Sequence, residues 1–320
     1  MEMRNWLRMI LVGFWLLATC TGMAKTVVAE DAPAIVIIQP RSVAAYQDAV
    51  QGFLRHLRLL SPTRFNIMIF EEPAGLYNVL DADTETAVVR SDIRLIVTIG
   101  SSATLDIAQH IHDIPILFSM MLDPERLPQN QANVTGVSLR IPSSVQFQMI
   151  MSMLPTAKQI GIIYDAQKNA TIVQHLMEEA KTVNLNIKPF PVTSQKEIPD
   201  AMDRLKKDAD VLLGIVDSMI YTSQTAGVMI RYAIKHKIPF IGISSSYVKA
   251  GALCALDVDP VDIGRQTAVI AQRILAGAPI ANMAAESPEK LDLAVNLRTA
   301  DIIGVTIPKA IRDKASLLYE

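Results

Sequence analysis

Short apolar runs recur along the chain, separated by longer stretches of mixed polarity: AIVIIQ at 34–39, FNIMIF at 65–70, LIVTIG at 95–100, IPILFSM at 114–120, QIGIIYD at 159–165, VLLGIVD at 211–217, IPFIGIS at 238–244 and GALCALDV at 251–258. They are rich in Ile and Val and do not alternate apolar with polar residues, which predicts parallel strands buried on both faces. The stretches between them carry helical periodicity instead. Over 43–60, Ala45, Ala49, Phe53, Leu54 and Leu57 fall on one side; over 171–183, Val173, Leu176, Met177 and Ala180 do the same. Strands alternating with helices predict βαβ units and an α/β fold.

The pattern also repeats. A strand and polar turn at 95–102, a helix, and a second strand opening on Ile114-Pro115 are echoed by a strand and turn at 211–218, a helix through Tyr232, and a strand opening on Ile238-Pro239. Two similar α/β halves follow, and a chain of 320 residues has room for two cores. The first half breaks near NVTGVSLRIP at 133–142, where a strand-like run meets a proline before a new helix from Ser143. An open parallel sheet gathers its ligand-contacting loops at the carboxyl ends of its strands. Here those loops are the polar turns 39–42, 100–103, 119–123, 165–169, 217–223 and 244–247.

The amino terminus breaks this rhythm. Arg4 and Arg8 precede an apolar run of about ten residues and then small residues, the layout of an export signal over 1–29. The run is about half as long as a membrane span needs. Leu17-Ala18-Thr19-Cys20 resembles a lipobox, so the product is either soluble, cut after Ala24 or Ala29, or lipid-anchored through Cys20; the soluble product is favoured. Cys254 is then the one remaining cysteine, which rules out an internal disulfide. With 30 basic and 32 acidic residues and no basic stripe, nucleic acid is not an expected partner.

Candidate chemistry is sparse. Neither the P-loop nor the dinucleotide fingerprint is present, and no Gly-x-Ser-x-Gly elbow occurs, so neither a nucleotide cofactor nor hydrolysis is expected. His110 and His112 lie two apart on a predicted helix and point in different directions, which gives no metal site. What the turns do offer is a helix start at Ser101 and Ser102, whose backbone amides can receive a carboxylate or merely be capped. Asp123, Asp165 and Asp217 follow strands and can either pair with an ammonium group or cap a helix. Together they suit a zwitterion. Tyr46, Tyr164, Tyr221 and Tyr247 near strand ends can present ring faces, and Met120-Met121 an adaptable wall.

Several of these segments taken together resemble a known family. LIVTIGSSAT, IPILFSMMLDPE, NVTGVS and KQIGIIYDAQKNAT, followed by YVKAGALCALDVDPVDIGRQTAVIAQRILAG and LAVNLRTADIIGVTIPKAI, are similar to substrate-binding proteins of ABC-type import systems that include tryptophan- and tyrosine-binding members. The resemblance implies a type I periplasmic-binding-protein fold: two Rossmann-like lobes with parallel sheets joined by a three-strand hinge. The first lobe would comprise 31–139 with 260–288, the second 140–259 with 289–320. By position it places Ser101, Ser102, Ser119, Asp123, Asp165, Asn169, Asp217, Ser218 and Ser244 at the ligand; the strand-end turns add Gln39 and Tyr46, and no cofactor or metal is expected. The expected function is capture of a small polar or zwitterionic ligand by hinge closure outside the cytoplasm, by a periplasmic monomer that delivers it to an ABC permease and ATPase. The alternative is a sensor that reports occupancy to a membrane receptor without transport.

Overall fold

In the computed structural model of the chain, the described residues are 32–40, 43–61, 63–72, 92–128 and 131–320. The expected leader at 1–29 with Cys20, and Arg41 and Ser42 of the first turn, lie outside them. The first sheet is built from β1 (Ala34–Pro40), β2 (Asn66–Glu72), β3 (Ile93–Ile99), β4 (Ile116–Met121) and β5 (Val134–Ser138), in the order β2-β1-β3-β4-β5, with every pairing parallel. Its central strands are apolar on both faces because both are covered. Ile35 and Ile37 pack with Phe53 and Ile270, while Val36 and Ile38, pointing the other way, pack with Ile107 and Ile111.

Among the described residues, the α-helices of this half are α1 (Ala44–Leu60) and α2 (Ser101–His110). The second half contains α3 (Ser143–Met153), β6 (Gln159–Asp165), α4 (Ala170–Thr182), β7 (Asn186–Val192), α5 (Ile198–Asp208), β8 (Val211–Leu213), α6 (Ser223–Lys235), β9 (Phe240–Ile241), α7 (Ser245–Lys249) and β10 (Cys254–Val258). After these come α8 (Pro260–Leu275), β11 (Leu291–Asn296), α9 (Leu297–Ile303), α10 (Lys309–Lys314) and β12 (Leu317–Tyr319). The second sheet has seven strands in the order β12-β11-β10-β9-β8-β6-β7. It is parallel except where β11 returns beside β10 in the antiparallel sense.

The chain crosses between the sheets after β5, after β10 and before β11, at 139–142, 259 and 283–290. These crossings join two α/β lobes. Helix α8 packs against α1, and its Ile263, Ala268, Ile270 and Ile274 belong to the core that covers the first sheet.

Two expected strands are shorter in the structure. The run at 211–217 is a strand only to Leu213, and the run at 238–244 only over Phe240–Ile241. The Gly214 amide still donates to the Ile241 carbonyl at 2.9 Å, and beyond it the chain leaves the ladder, with Val216 53% exposed. Strand β7, with Pro189 and Pro191, was not anticipated; it occupies a sheet edge, where residues that cannot donate are tolerated.

Candidate functional site

In the first lobe the site begins at the β3–α2 turn. Gly100 adopts φ 84°, open to glycine, and a Cβ there would lie 3.0 Å from the Tyr46 hydroxyl oxygen, so the Tyr46 ring rests directly on the turn. The turn is held from below. Thr104 Oγ1 donates to the Gly100 carbonyl at 2.7 Å and lies 2.9 Å from Thr98 Oγ1, while the Gly100 amide donates to the Ser119 carbonyl at 2.8 Å. No side chain caps α2. Ser101, expected as the cap, instead accepts from the Leu122 amide at 3.1 Å and ties this turn to the loop after β4. Ser102 is exposed beside it. Gln39 ends β1, next to β3; it is buried, and its Oε1 has no hydrogen-bond partner among the described residues.

Two residues expected at the ligand are engaged elsewhere. Ser119 is 1% exposed, and its hydroxyl accepts from Thr267 on α8 at 3.0 Å, so the side chain serves the packing of α8 on the sheet. Asp123 lies 3.3 Å from Arg140, which also pairs with Glu125. Arg140 sits on the first crossing, so this ion pair ties a crossing segment to a loop of the first lobe. Between Ser119 and Asp123, Met120 is held at φ 59° where the β4–β5 register shifts. A buried side chain in that region is strained, a feature that clusters at functional sites.

In the second lobe the structure brings Asp165, Asn169 and Asp217 together. Asp217 Oδ1 accepts from the amides of Met219 at 2.9 Å and Ile220 at 3.0 Å. Its Oδ2 accepts from the Asp165 amide at 2.8 Å and from Asn169 Nδ2 at 2.7 Å. A carboxylate has about four acceptor positions. In this structure those of Asp217 are filled by its own fold. Asp165 caps in the same way, accepting from the Gln167 amide at 2.9 Å. Ser218 is exposed, and Ser244 lies 2.7 Å from Ser246, oxygen to oxygen.

An aromatic group stands beside this cluster. The Tyr221 ring meets Phe240 at 6.3 Å and Tyr247 edge-on at 6.1 Å, and the Tyr247 hydroxyl donates to the Tyr221 carbonyl at 3.1 Å. Burial raises the pKa of both phenols; at Tyr221 the charge of Asp217 adds to this. Tyr164 is half-buried on β6. Cys254 is fully buried, which pushes its thiol well above the ordinary range and suits a packing role. Arg140 and Thr98 escaped the sequence reading because their partners come from other elements. Among the described residues there is no group of three or more His, Cys, Asp or Glu that could hold a metal, and no helix is long and apolar enough to cross a membrane.

This geometry, a buried α/β scaffold with polar turns at strand ends, agrees with what the chain is similar to. Residues 34–317 match the model of the family described as ABC transporter substrate binding protein. The chain belongs to that family. Its members are solute-binding proteins that work with ABC transport systems. Over 192 residues the chain is 26% identical to a tyrosine-binding protein of Clostridioides difficile (strain R20291), a match spanning 58% of this chain and 55% of that protein. An uncharacterized protein of Rickettsia prowazekii (strain Madrid E) is 22% identical over 279 residues, 87% of each chain. Among solved structures, the fold is shared with a ligand-free, open substrate-binding protein with adhesive properties from Clostridium difficile, at TM-score 0.75. It is also shared with an ABC domain in complex with L-Trp from Streptococcus pneumonia, at TM-score 0.62. Each is 22% identical and covers 90% of this chain and 99% of its own. The fold of this ABC transporter substrate-binding protein is therefore the type I periplasmic-binding-protein fold.

Proposed function

We propose that this protein captures a free amino acid, aromatic in side chain, between its two lobes and delivers it to an ABC permease and ATPase. It would act outside the cytoplasm as an exported monomer. The observation that carries the reading is the β3–α2 turn: an uncapped helix start at Ser101 and Ser102, with the Tyr46 ring lying on Gly100. Backbone amides at a helix start favour an anion such as the ligand carboxylate, and the adjoining ring favours a flat apolar side chain. Gln39 Oε1, buried and without a partner among the described residues, is an acceptor suited to the ligand ammonium group. That assignment takes over the role first expected of Asp217, while Asn169 and Asp165 hold the second lobe's turns in shape. The tyrosine- and tryptophan-binding relatives support the choice of ligand class. Closure of the lobes about the three crossings would trap the ligand.

The test is a thermal-shift series on purified protein stripped of carried-over ligand by unfolding and refolding, against the proteinogenic amino acids and a set of sugars and nucleosides. A ligand at a hundred times its Kd adds about 2.7 kcal/mol of stability. The expected result is a shift confined to aromatic amino acids. A shift with sugars or nucleosides, and none with amino acids, would refute the reading.

A further inference from the structure

Strand β8 lies inside the second sheet, parallel to β9 on one side and to β6 on the other, with Val211, Leu212 and Leu213 buried in the core of that lobe. Beyond it the chain is still fixed. The Gly214 amide is bonded to the Ile241 carbonyl, the Tyr221 amide donates to the Asp217 carbonyl at 3.0 Å, and the Asp217 carboxylate accepts from the amides of Asp165, Met219 and Ile220 and from Asn169. Residues 214–217 run between these ties without helix or turn, and burial alternates along them: Ile215 and Asp217 are buried, Val216 and Ser218 exposed. Successive side chains of an extended chain point to opposite sides. Ile215 and Asp217 thus face into the lobe, and Val216 and Ser218 face away from it.

A lone exposed valine on an outer surface is ordinary. The place of this one is not. Strand β8 has a neighbour on each side and core on both faces, supplied by Ala201, Met202 and Leu205 of α5 and by Met229, Ile230 and Ala233 of α6, so the chain leaving it reaches solvent beyond the strand ends. That is where open parallel sheets bind their ligands. Val216 is therefore an apolar side chain presented to water, on a backbone held by hydrogen bonds, at the ligand-facing end of an interior strand. A flat apolar group laid against it removes apolar surface from water on both partners. Because the backbone is already fixed, binding orders little of it.

We infer that Val216 is a specificity-determining residue of the second lobe, its side chain packing on the aromatic ring of the bound amino acid while Tyr46 contributes from the first lobe. This rests on the amino-acid reading above and adds to it the residue that selects for an apolar ring. The test uses two variants in the full protein stripped of ligand. Val216→Thr keeps the shape and replaces a methyl with a hydroxyl; Val216→Ala removes apolar surface without adding a polar atom. L-phenylalanine, L-tyrosine and L-tryptophan are the probes, titrated by calorimetry into wild type and variants. Affinity for the bound probe should fall about tenfold in Val216→Thr and about fivefold in Val216→Ala, with the unliganded Tm unchanged in both. Wild type that binds none of the three probes overturns the aromatic amino-acid reading and the role of Val216 with it. If wild type binds and either variant binds as tightly, the role of Val216 alone is overturned. A clearly lowered unliganded Tm overturns it whatever the affinity, because the side chain would then be packed within the fold and not held out for a ligand.

Discussion

Asp217 shows how one side chain can be legible in type and not in role. Its place at the end of an apolar run marked it as a turn acid, and turn acids either cap or contact ligand. The deciding partners are the Asp165 amide and Asn169 Nδ2, 52 and 48 residues away in sequence, which no local pattern reveals. The structure gives the carboxylate to the fold, and Asp217→Asn tests this. The amide keeps one oxygen and turns its NH2 toward two N–H donors, so two bonds are lost and donors face a donor. We expect a loss of about 2 to 4 kcal/mol in unfolding free energy, measured by urea titration. A variant as stable as wild type would mean that the four bonds are not made. The surroundings of Ser119 were hidden for a related reason: a serine near a strand end can point to either face, and here its hydroxyl meets Thr267.

At the scale of elements, the strands of the first lobe were the most readable, because a central parallel strand must be apolar on both faces and few other segments look like that. The less readable elements lie in the second lobe. Strand β7 carries prolines that argue against a strand unless it is known to sit at an edge, and β8 and β9 are far shorter than the apolar runs containing them. The contact between α1 and α8 was equally hidden, since the helices are separated in sequence by the whole second α/β half. Their backbones approach so closely that a Cβ on Gly264 would fall well inside contact distance of the Ala49 carbonyl oxygen, and one on Gly52 would meet Val261 in the same way. Gly264→Ala must push the helices apart or bend one of them. Overpacking of this kind costs about 1 to 3 kcal/mol. The expected outcome is a lowered Tm with a cooperative transition retained, seen by circular dichroism. An unchanged Tm would show that the helices slide apart freely, against the close packing seen here.

For the whole molecule, two α/β halves could be read from the repeat and the three crossings only from the family resemblance, whereas the ionic ties across the crossings could be read from neither. Arg140 meets Asp123 and Glu125 at the first crossing, and Lys290 lies 3.2 Å from Asp259 and 3.7 Å from Asp292 where the second and third converge. Lys290 is well exposed, and its hydrogen bond to Asp259 raises its pKa. The same direction holds for three tyrosines: burial raises Tyr221 and Tyr247, and burial with the Asp203 hydrogen bond pushes Tyr232 up to about 12. For each group the folded pKa stands above the unfolded one, near 10 for tyrosine and about 10.4 for lysine. Above those values the unfolded chain releases protons that the native chain retains, so stability falls as pH rises. It is fully present below about pH 9 to 10 and drains away through the raised folded values. The buried Cys254 thiol acts in the same sense from about pH 8.5, so the protein should hold its Tm between about pH 7 and 8 and lose it steadily as the pH rises further. In that range the Tyr221 share of the tyrosinate absorbance should appear only as the chain unfolds. A single smooth titration, complete while the circular dichroism is still native, would show that Tyr221 reaches water in the folded protein and is not buried as found here.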